Sequence, residues 1–180
     1  MRKDYELQIQ QLKEQNLNTG NYTDTQMGIS FTYRVSPRSY ALYKIAENII
    51  VIPTDYTLDS DGYPKHWGGA FQIAVYPKDS NENLKDWIGH HYVETQYFEN
   101  EKGSLPQLTK TIIDDLTGYR FSRNFVDDAQ VVNDIVEKGG RIYIISIVAK
   151  NNHYALEDYP EFLNSIRIFA EDKNLDNSVF

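Results

Sequence analysis

One stretch near the C-terminal end, from Arg141 to Ala149, constrains the fold of this chain more than any other. Successive side chains of a strand point to opposite sides of a sheet. One side of this stretch carries Ile142, Ile144 and Val148, and the other carries Tyr143, Ile145 and Ile147. Because both sides are apolar, the strand must lie in the interior of a sheet that is covered on both faces.

The rest of the chain supplies further strands and two helical patterns. Alternating apolar residues predict strands over 28–34, 40–46, 49–52, 70–76, 108–113, 118–124 and 130–136, with 166–169 closing the fold. A helix is predicted over 83–98 that buries Leu84, Trp87 and Ile88 against the sheet, and a second over 155–165 with Pro160 near its first turn. Short turns at 127–128 and 139–140 make the last three long strands an antiparallel meander. We predict an α+β fold, an α/β/α sandwich with a mostly antiparallel central sheet.

The sequence indicates one domain with two extensions. Residues 1–26 are predicted to be an N-terminal helical arm or tether, because 3–16 contain helix formers with few apolar residues and 18–25 are rich in turn formers. Residues 27–169 form the predicted domain. Residues 170–180 are predicted to be a polar C-terminal tail.

The composition excludes several function classes. The chain has 18 basic and 26 acidic residues, and its net charge of -8 opposes binding to nucleic acid or to an anionic membrane surface. It has no cysteine, which excludes disulfides, thiol nucleophiles and thiolate metal sites. It contains no Gly-x-Ser-x-Gly elbow, phosphate-binding loop or dinucleotide fingerprint. We therefore predict no catalytic residues, no cofactor and a non-enzymatic role.

One helix flank offers a candidate metal site. Asp86, His90 and Glu94 follow one another at intervals of four residues in the predicted helix 83–98, which places their side chains about one turn apart. Imidazole and carboxylate groups suit zinc or a similar cation. The alternative is a solvated helix face on which Asp, His and Glu pair with each other.

The aperiodic segment 53–69 offers a candidate partner surface. Its Asp, Gly and Pro residues predict a long surface loop, and within it Tyr63, Lys65, His66 and Trp67 combine two aromatic rings with two basic groups. Such a combination is typical of a contact patch for another protein or a sugar. The alternative is that Trp67 folds back to cover a sheet edge.

The order of the motifs resembles a known family. Gly28-Ile-Ser-Phe-Thr-Tyr, Phe71-Gln-Ile-Ala-Val-Tyr, Thr117-Gly-Tyr-Arg-Phe, Gly140-Arg-Ile-Tyr-Ile-Ile-Ser-Ile and Phe162-Leu-Asn-Ser-Ile together resemble a PsbP-like domain over about residues 27–169. The resemblance is greatest to bacterial, non-photosynthetic members, which are commonly exported or lipid-anchored and have no known function. It implies an antiparallel sheet between helical layers, a fold shared with a Ran-binding nuclear import factor. These are packing motifs, so they indicate the fold and not an activity.

The resemblance also implies a location. We expect an extracytoplasmic protein that binds another protein through 53–69 and meets a membrane only through an N-terminal anchor that is removed or absent from this chain. The arm over 3–16 then acts as a spacer. In the alternative, Met1 is the native start and the protein is cytoplasmic.

Overall fold

A computed structural model describes residues 20–33, 40–45, 48–53, 69–78, 81–92, 107–124, 129–150 and 154–169. The strands are β1 Asn21–Asp24, β2 Ile29–Thr32, β3 Tyr40–Ile45, β4 Asn48–Pro53, β5 Ala70–Pro77, β6 Thr109–Ile113, β7 Leu116–Asn124, β8 Ala129–Lys138, β9 Arg141–Lys150 and β10 Arg167–Ile168. The helices are α1 Leu84–Trp87, which continues as a π-helical turn over Ile88–Tyr92, and α2 Tyr154–Ser165.

Seven strands form the larger sheet, in the order β3-β4-β5-β9-β8-β7-β6. Every neighbouring pair is antiparallel. The two-sided apolar strand β9 lies at the centre, with three strands on each side, and β7, β8 and β9 form the predicted meander. The predicted sheet is thus confirmed, and its central strand is the one that was identified by its two apolar faces.

The two faces of this sheet are covered by different layers. On one face, Tyr143 and Ile145 of β9 belong to a core that also contains Ile29 of β2 and Phe162 of α2. On the other face, Ile142 and Ile144 of β9 join a second core with Trp87 and Ile88. The predicted cover on both faces, and with it the α/β/α arrangement, is confirmed.

The first helix begins where the sequence predicted. The side chain of Asn83 caps it by accepting a hydrogen bond from the backbone N–H of Asp86, at 3.0 Å. Trp87 and Ile88 are buried and Leu84 is half-buried against them, as expected. From Ile88 the helix widens into the π-helical turn. Residues 93–98 of the predicted helix lie outside the described residues.

A second, three-stranded sheet of order β1-β2-β10 covers part of the same face as α2. It corrects the prediction of turns over 18–25, since Asn21–Asp24 form β1. That strand pairs antiparallel with β2, and the Tyr22 ring lies 5.3 Å from the Phe31 ring. The folded region therefore includes part of the segment 1–26 that was predicted to be an arm, while 1–19 and the tail 170–180 lie outside the described residues.

Pro160 also departs from the sequence prediction. It lies in the interior of α2 and not in its first turn, where its missing N–H would cost nothing. The helix continues through it because Tyr159, Phe162 and Leu163 are buried in the core, and this packing offsets the lost backbone hydrogen bond.

No helix in the described ranges is long and apolar enough to cross a membrane.

Candidate binding clefts at the two ends of the sheet

Two of the three predicted metal ligands lie in the described part of the chain. Asp86 is exposed, and its carboxylate accepts a hydrogen bond from the Asn83 side chain at 2.6 Å. The His90 ring, in the π-helical turn, lies with Nδ1 2.9 Å from a carboxylate oxygen of Glu82. In the described segments, no three His, Asp or Glu residues are grouped so that they could hold a metal ion. Glu94 lies outside those segments, so the three-residue site stays a prediction.

The predicted partner patch lies outside the described residues, but its attachment points do not. Tyr63, Lys65, His66 and Trp67 all belong to the segment between Pro53, the last residue of β4, and Gly69, which precedes β5. Gly69 has a positive φ of 92°, and its N–H donates to the carbonyl of Val148 at 2.9 Å. The segment therefore leaves and re-enters the sheet at the end where β9 finishes.

A small cleft opens at this same end, between α2 and the start of β3. We call it the α2 cleft. Its volume is about 80 Å³, and it is lined by four aromatic rings, two carboxylates and a threonine: Tyr33, Tyr40, Phe71, Phe162, Asp158, Glu161 and Thr32. The Phe71 ring stacks on Tyr40 and on Phe162, with centroids 5.2 and 4.6 Å away. The Tyr40 hydroxyl donates to the buried carboxylate of Asp158 at 2.8 Å. Aromatic faces beside carboxylates are chemically suited to a cationic group.

A buried polar network lies deeper under α2 and is structural. The Asp134 side chain is fully buried in β8 and accepts hydrogen bonds from Thr111 Oγ1 at 2.7 Å, from Arg120 Nε at 2.8 Å and from the Tyr159 hydroxyl at 2.9 Å. The Tyr159 hydroxyl also lies 3.0 Å from the carbonyl of Ile145. The hydrogen bond to Asp134 raises the pKa of the Arg120 guanidinium, against the opposing effect of burial. These groups satisfy one another and leave no open reactive centre.

A larger cleft of about 280 Å³ lies at the opposite end of the sheet, and we call it the Lys44–Arg141 cleft. Lys44 of β3 and Arg141 of β9 line it. Between them lie Val75 and Pro77 of β5, and the turn after β1 contributes Gln26 and Met27.

Both cations of this cleft are held by the end of β1 and the turn that follows it. Arg141 donates to the backbone carbonyl of Gln26, and Lys44 pairs with the carboxylate of Asp24. Burial opposes ionisation of Asp24, but hydrogen bonds from Lys44 and from the backbone N–H of Met27 outweigh it and lower the pKa of the carboxyl. Burial and the neighbouring Asp24 carboxylate raise the pKa of the Tyr22 hydroxyl. The turn therefore fixes two positive groups at the mouth of a cleft.

Sequence reasoning missed both clefts. Their lining residues come from segments far apart in the chain, so no local motif marks them. One signal was present: strand alternation places Lys44 on the same face as buried Leu42, and Arg141 on the same face as buried Tyr143. A cation at the end of an otherwise buried strand face lies at the edge of the core, where its charged group can reach solvent.

Comparison with known proteins bears on the fold alone. No protein-family model matches the sequence, and no curated protein matches it significantly. A solution structure of cyanobacterial PsbP (CyanoP) from Synechocystis is similar, with a TM-score of 0.57 and 12% sequence identity over 83% of this chain and 91% of that one. A crystal structure from Bacteroides thetaiotaomicron is similar with a TM-score of 0.55 and 10% identity. The match covers 84% of this chain and 49% of that protein, so this chain spans about half its length. The fold is PsbP-like, as the motifs predicted.

Proposed function

We propose that this chain is a non-enzymatic, PsbP-like binding or accessory domain that acts outside the cytoplasm and recognises a partner protein through the segment 53–69. The observation that carries the proposal is the position of the α2 cleft. It lies at the end of the sheet from which that segment departs after Pro53 and to which it returns at Gly69. Loops at one end of a rigid sheet are the usual place for recognition.

The two features have complementary chemistry. The segment contributes Tyr63 and Trp67, residue types that serve as anchors in protein interfaces, with Lys65 and His66 beside them. The α2 cleft contributes carboxylates held among aromatic rings. A partner that presents a basic side chain to the cleft and an apolar pocket to Trp67 would engage both.

A site-specific photo-crosslinker tests this role. Placed at position 65, it should give a discrete adduct with an extracytoplasmic protein of the source organism, and Trp67→Ala should remove that adduct without lowering the melting temperature. The same crosslinker at the exposed Lys110, on edge strand β6, serves as the matched control. Equal adducts from both positions, or an adduct that survives Trp67→Ala, would contradict the proposal.

The extracytoplasmic location has its own test. It rests on the resemblance to exported PsbP-like proteins and on the spacer character of 3–16. The native gene upstream of Met1 should encode an apolar segment ending in a cysteine or a small-residue cleavage site. A stop codon directly upstream, with Met1 as initiator, would favour the cytoplasmic alternative.

A second candidate function is binding of a metal ion or small ligand at Asp86, His90 and Glu94. It is favoured by the pairing of the exposed His90 imidazole with a carboxylate, that of Glu82, since such a pair offers nitrogen and oxygen ligands together. Zinc or manganese added to chelator-treated protein at about 100 times a dissociation constant would stabilise it by about 2.7 kcal/mol. His90→Gln should abolish that shift, and no shift well above micromolar metal would refute this function.

A further inference from the structure

The Lys44–Arg141 cleft is separate from the surface assigned above, because it lies at the other end of the sheet. Its floor is the end of β5, where Val75 is buried and belongs to the core. Its roof is the turn after β1, which holds Gln26 and Met27. The floor is apolar, and the roof combines the apolar Met27 with the polar Gln26.

The two cations flank this slot from opposite sides. Strands β3 and β9, which carry Lys44 and Arg141, are separated in the sheet by β4 and β5. The strand register places Lys44 level with Ile145 of β9, four residues from Arg141. Three strand spacings across the sheet and four residues along it place the two backbones about 19 Å apart. Both side chains lie on the face of the sheet that the turn covers, so their long stems extend toward the slot between them.

The local charge differs in sign from that of the whole molecule. The chain has a net charge of -8, yet the charged groups that the described residues contribute to the lining of this cleft are basic. Asp24 lies behind Lys44 with only 6% of its side chain exposed, while 32% of the Lys44 side chain is exposed. The carboxylate therefore orients the ammonium group and is itself shielded from the slot.

From this arrangement we propose that the Lys44–Arg141 cleft binds a small organic dianion, with one anionic group at each cation and a short apolar middle on Val75 and Pro77. A guanidinium such as that of Arg141 donates N–H groups to a carboxylate, and Lys44 supplies a point charge. The volume of about 280 Å³ lies just below the 300 to 1,000 Å³ typical of small-molecule sites, which fits a compact acid and excludes a nucleotide or a folded peptide.

Calorimetric titration of the full chain at low ionic strength tests the proposal. The probes are the dicarboxylates succinate and adipate, inorganic phosphate, acetate, and neutral succinamide. We expect saturable binding of at least one dicarboxylate and binding at least tenfold weaker for acetate, phosphate and succinamide. No saturation by either dicarboxylate up to 10 mM would overturn the proposal, and so would tighter binding of phosphate, which would indicate a single-anion site.

Variants that remove one positive charge show whether dicarboxylate binding depends on the cleft or only on the overall charge of the protein. Arg141→Gln should raise the dissociation constant of the dicarboxylate at least tenfold, and Lys44→Gln should act in the same direction. The matched control is Lys150→Gln, which removes one positive charge at the exposed far end of β9 and should change the constant less than twofold. Melting temperatures without ligand show whether each variant is folded. If Arg141→Gln is folded and binds as the unmodified chain does, or if Lys150→Gln weakens binding equally, the assignment is wrong.

Discussion

The buried carboxylate of Asp134 connects four elements of this fold. It joins β8, on which it lies, to β6 through Thr111, to β7 through Arg120 and to α2 through Tyr159. Its side chain is 0% exposed, whereas that of Arg120 is 42% exposed. Removing Asp134 therefore leaves a partly exposed cation, whereas removing Arg120 leaves a fully buried carboxyl group.

The expected losses in the free energy of unfolding depend on which group is left without a partner. Asp134→Ala deprives three donors of an acceptor, but Arg120 can turn to water and Tyr159 keeps the carbonyl of Ile145, so the loss should be about 2 to 4 kcal/mol. Arg120→Met leaves a fully buried carboxyl group with only two hydroxyl donors and no cation. Breaking a buried ion pair in this way costs about 3 to 5 kcal/mol.

The double variant distinguishes this account from simple loss of packing. Without either charge, no uncompensated charge remains buried, so Arg120→Met with Asp134→Ala should cost at least about 2 kcal/mol less than the sum of the single losses. Urea unfolding followed by the fluorescence of buried Trp87 measures all three, with Lys110→Met on the exposed edge as control. Single losses below about 1 kcal/mol that add without coupling would refute the reasoning.

Three further predictions concern the second core, the β7–β8 contact and the acid range. Trp87→Ala should lower the free energy of unfolding by about 3 to 5 kcal/mol in urea titrations, and a loss below about 1 kcal/mol would show that α1 does not cover the sheet. Gly118→Ala places a Cβ 2.0 Å from the carbonyl oxygen of Ile135, so it should lower the melting temperature more than an alanine at exposed Thr117 does. Because the pKa of Asp24 is lowered in the fold, its ionised form stabilises the protein at neutral pH, and this contribution is lost as pH falls through the acid range below the usual carboxyl pKa. Lys44→Gln should make the free energy of unfolding depend less on pH in this acid range. If the pH dependence there is unchanged, the pairing of Asp24 with Lys44 does not cause it.

Most of the larger sheet could be predicted because the pattern of apolar residues within each strand shows which of its faces is buried. In β9 both sets of alternate residues are apolar, and in β5 Phe71, Ile73 and Val75 alternate toward one core. The strand β1 could not be predicted in the same way, because Asn-Tyr-Thr-Asp has no apolar alternation and becomes a strand only by pairing with β2. Pro160 was misplaced for the same reason, since burial of its neighbours overrides its local preference.

The clefts were unpredictable for a different physical reason. A motif needs residues whose spacing along the chain fixes their spacing in space, as in the helix pattern of Asp86 and His90. Lys44 and Arg141 flank one cleft only because β3 and β9 belong to the same sheet and the turn after β1 lies over both side chains. Even the helical pattern depends on regular geometry, which ends where α1 becomes a π-helical turn at Ile88.

The pairing of β2 between β1 and β10 has a consequence for how the protein is made. β2 is synthesised long before β10, yet Ile29 is the cross-strand partner of Ile168, and the backbone N–H of Phe169 donates to the carbonyl of Gly28 at 2.9 Å. Even with β1 in place, a growing chain therefore carries β2 with one edge unpaired until Ile168 is available, and contacts of such long sequence separation form slowly. A chaperone that holds the nascent chain has this interval in which to act, and a chain that ended before β10 would expose the same strand edge to aggregation.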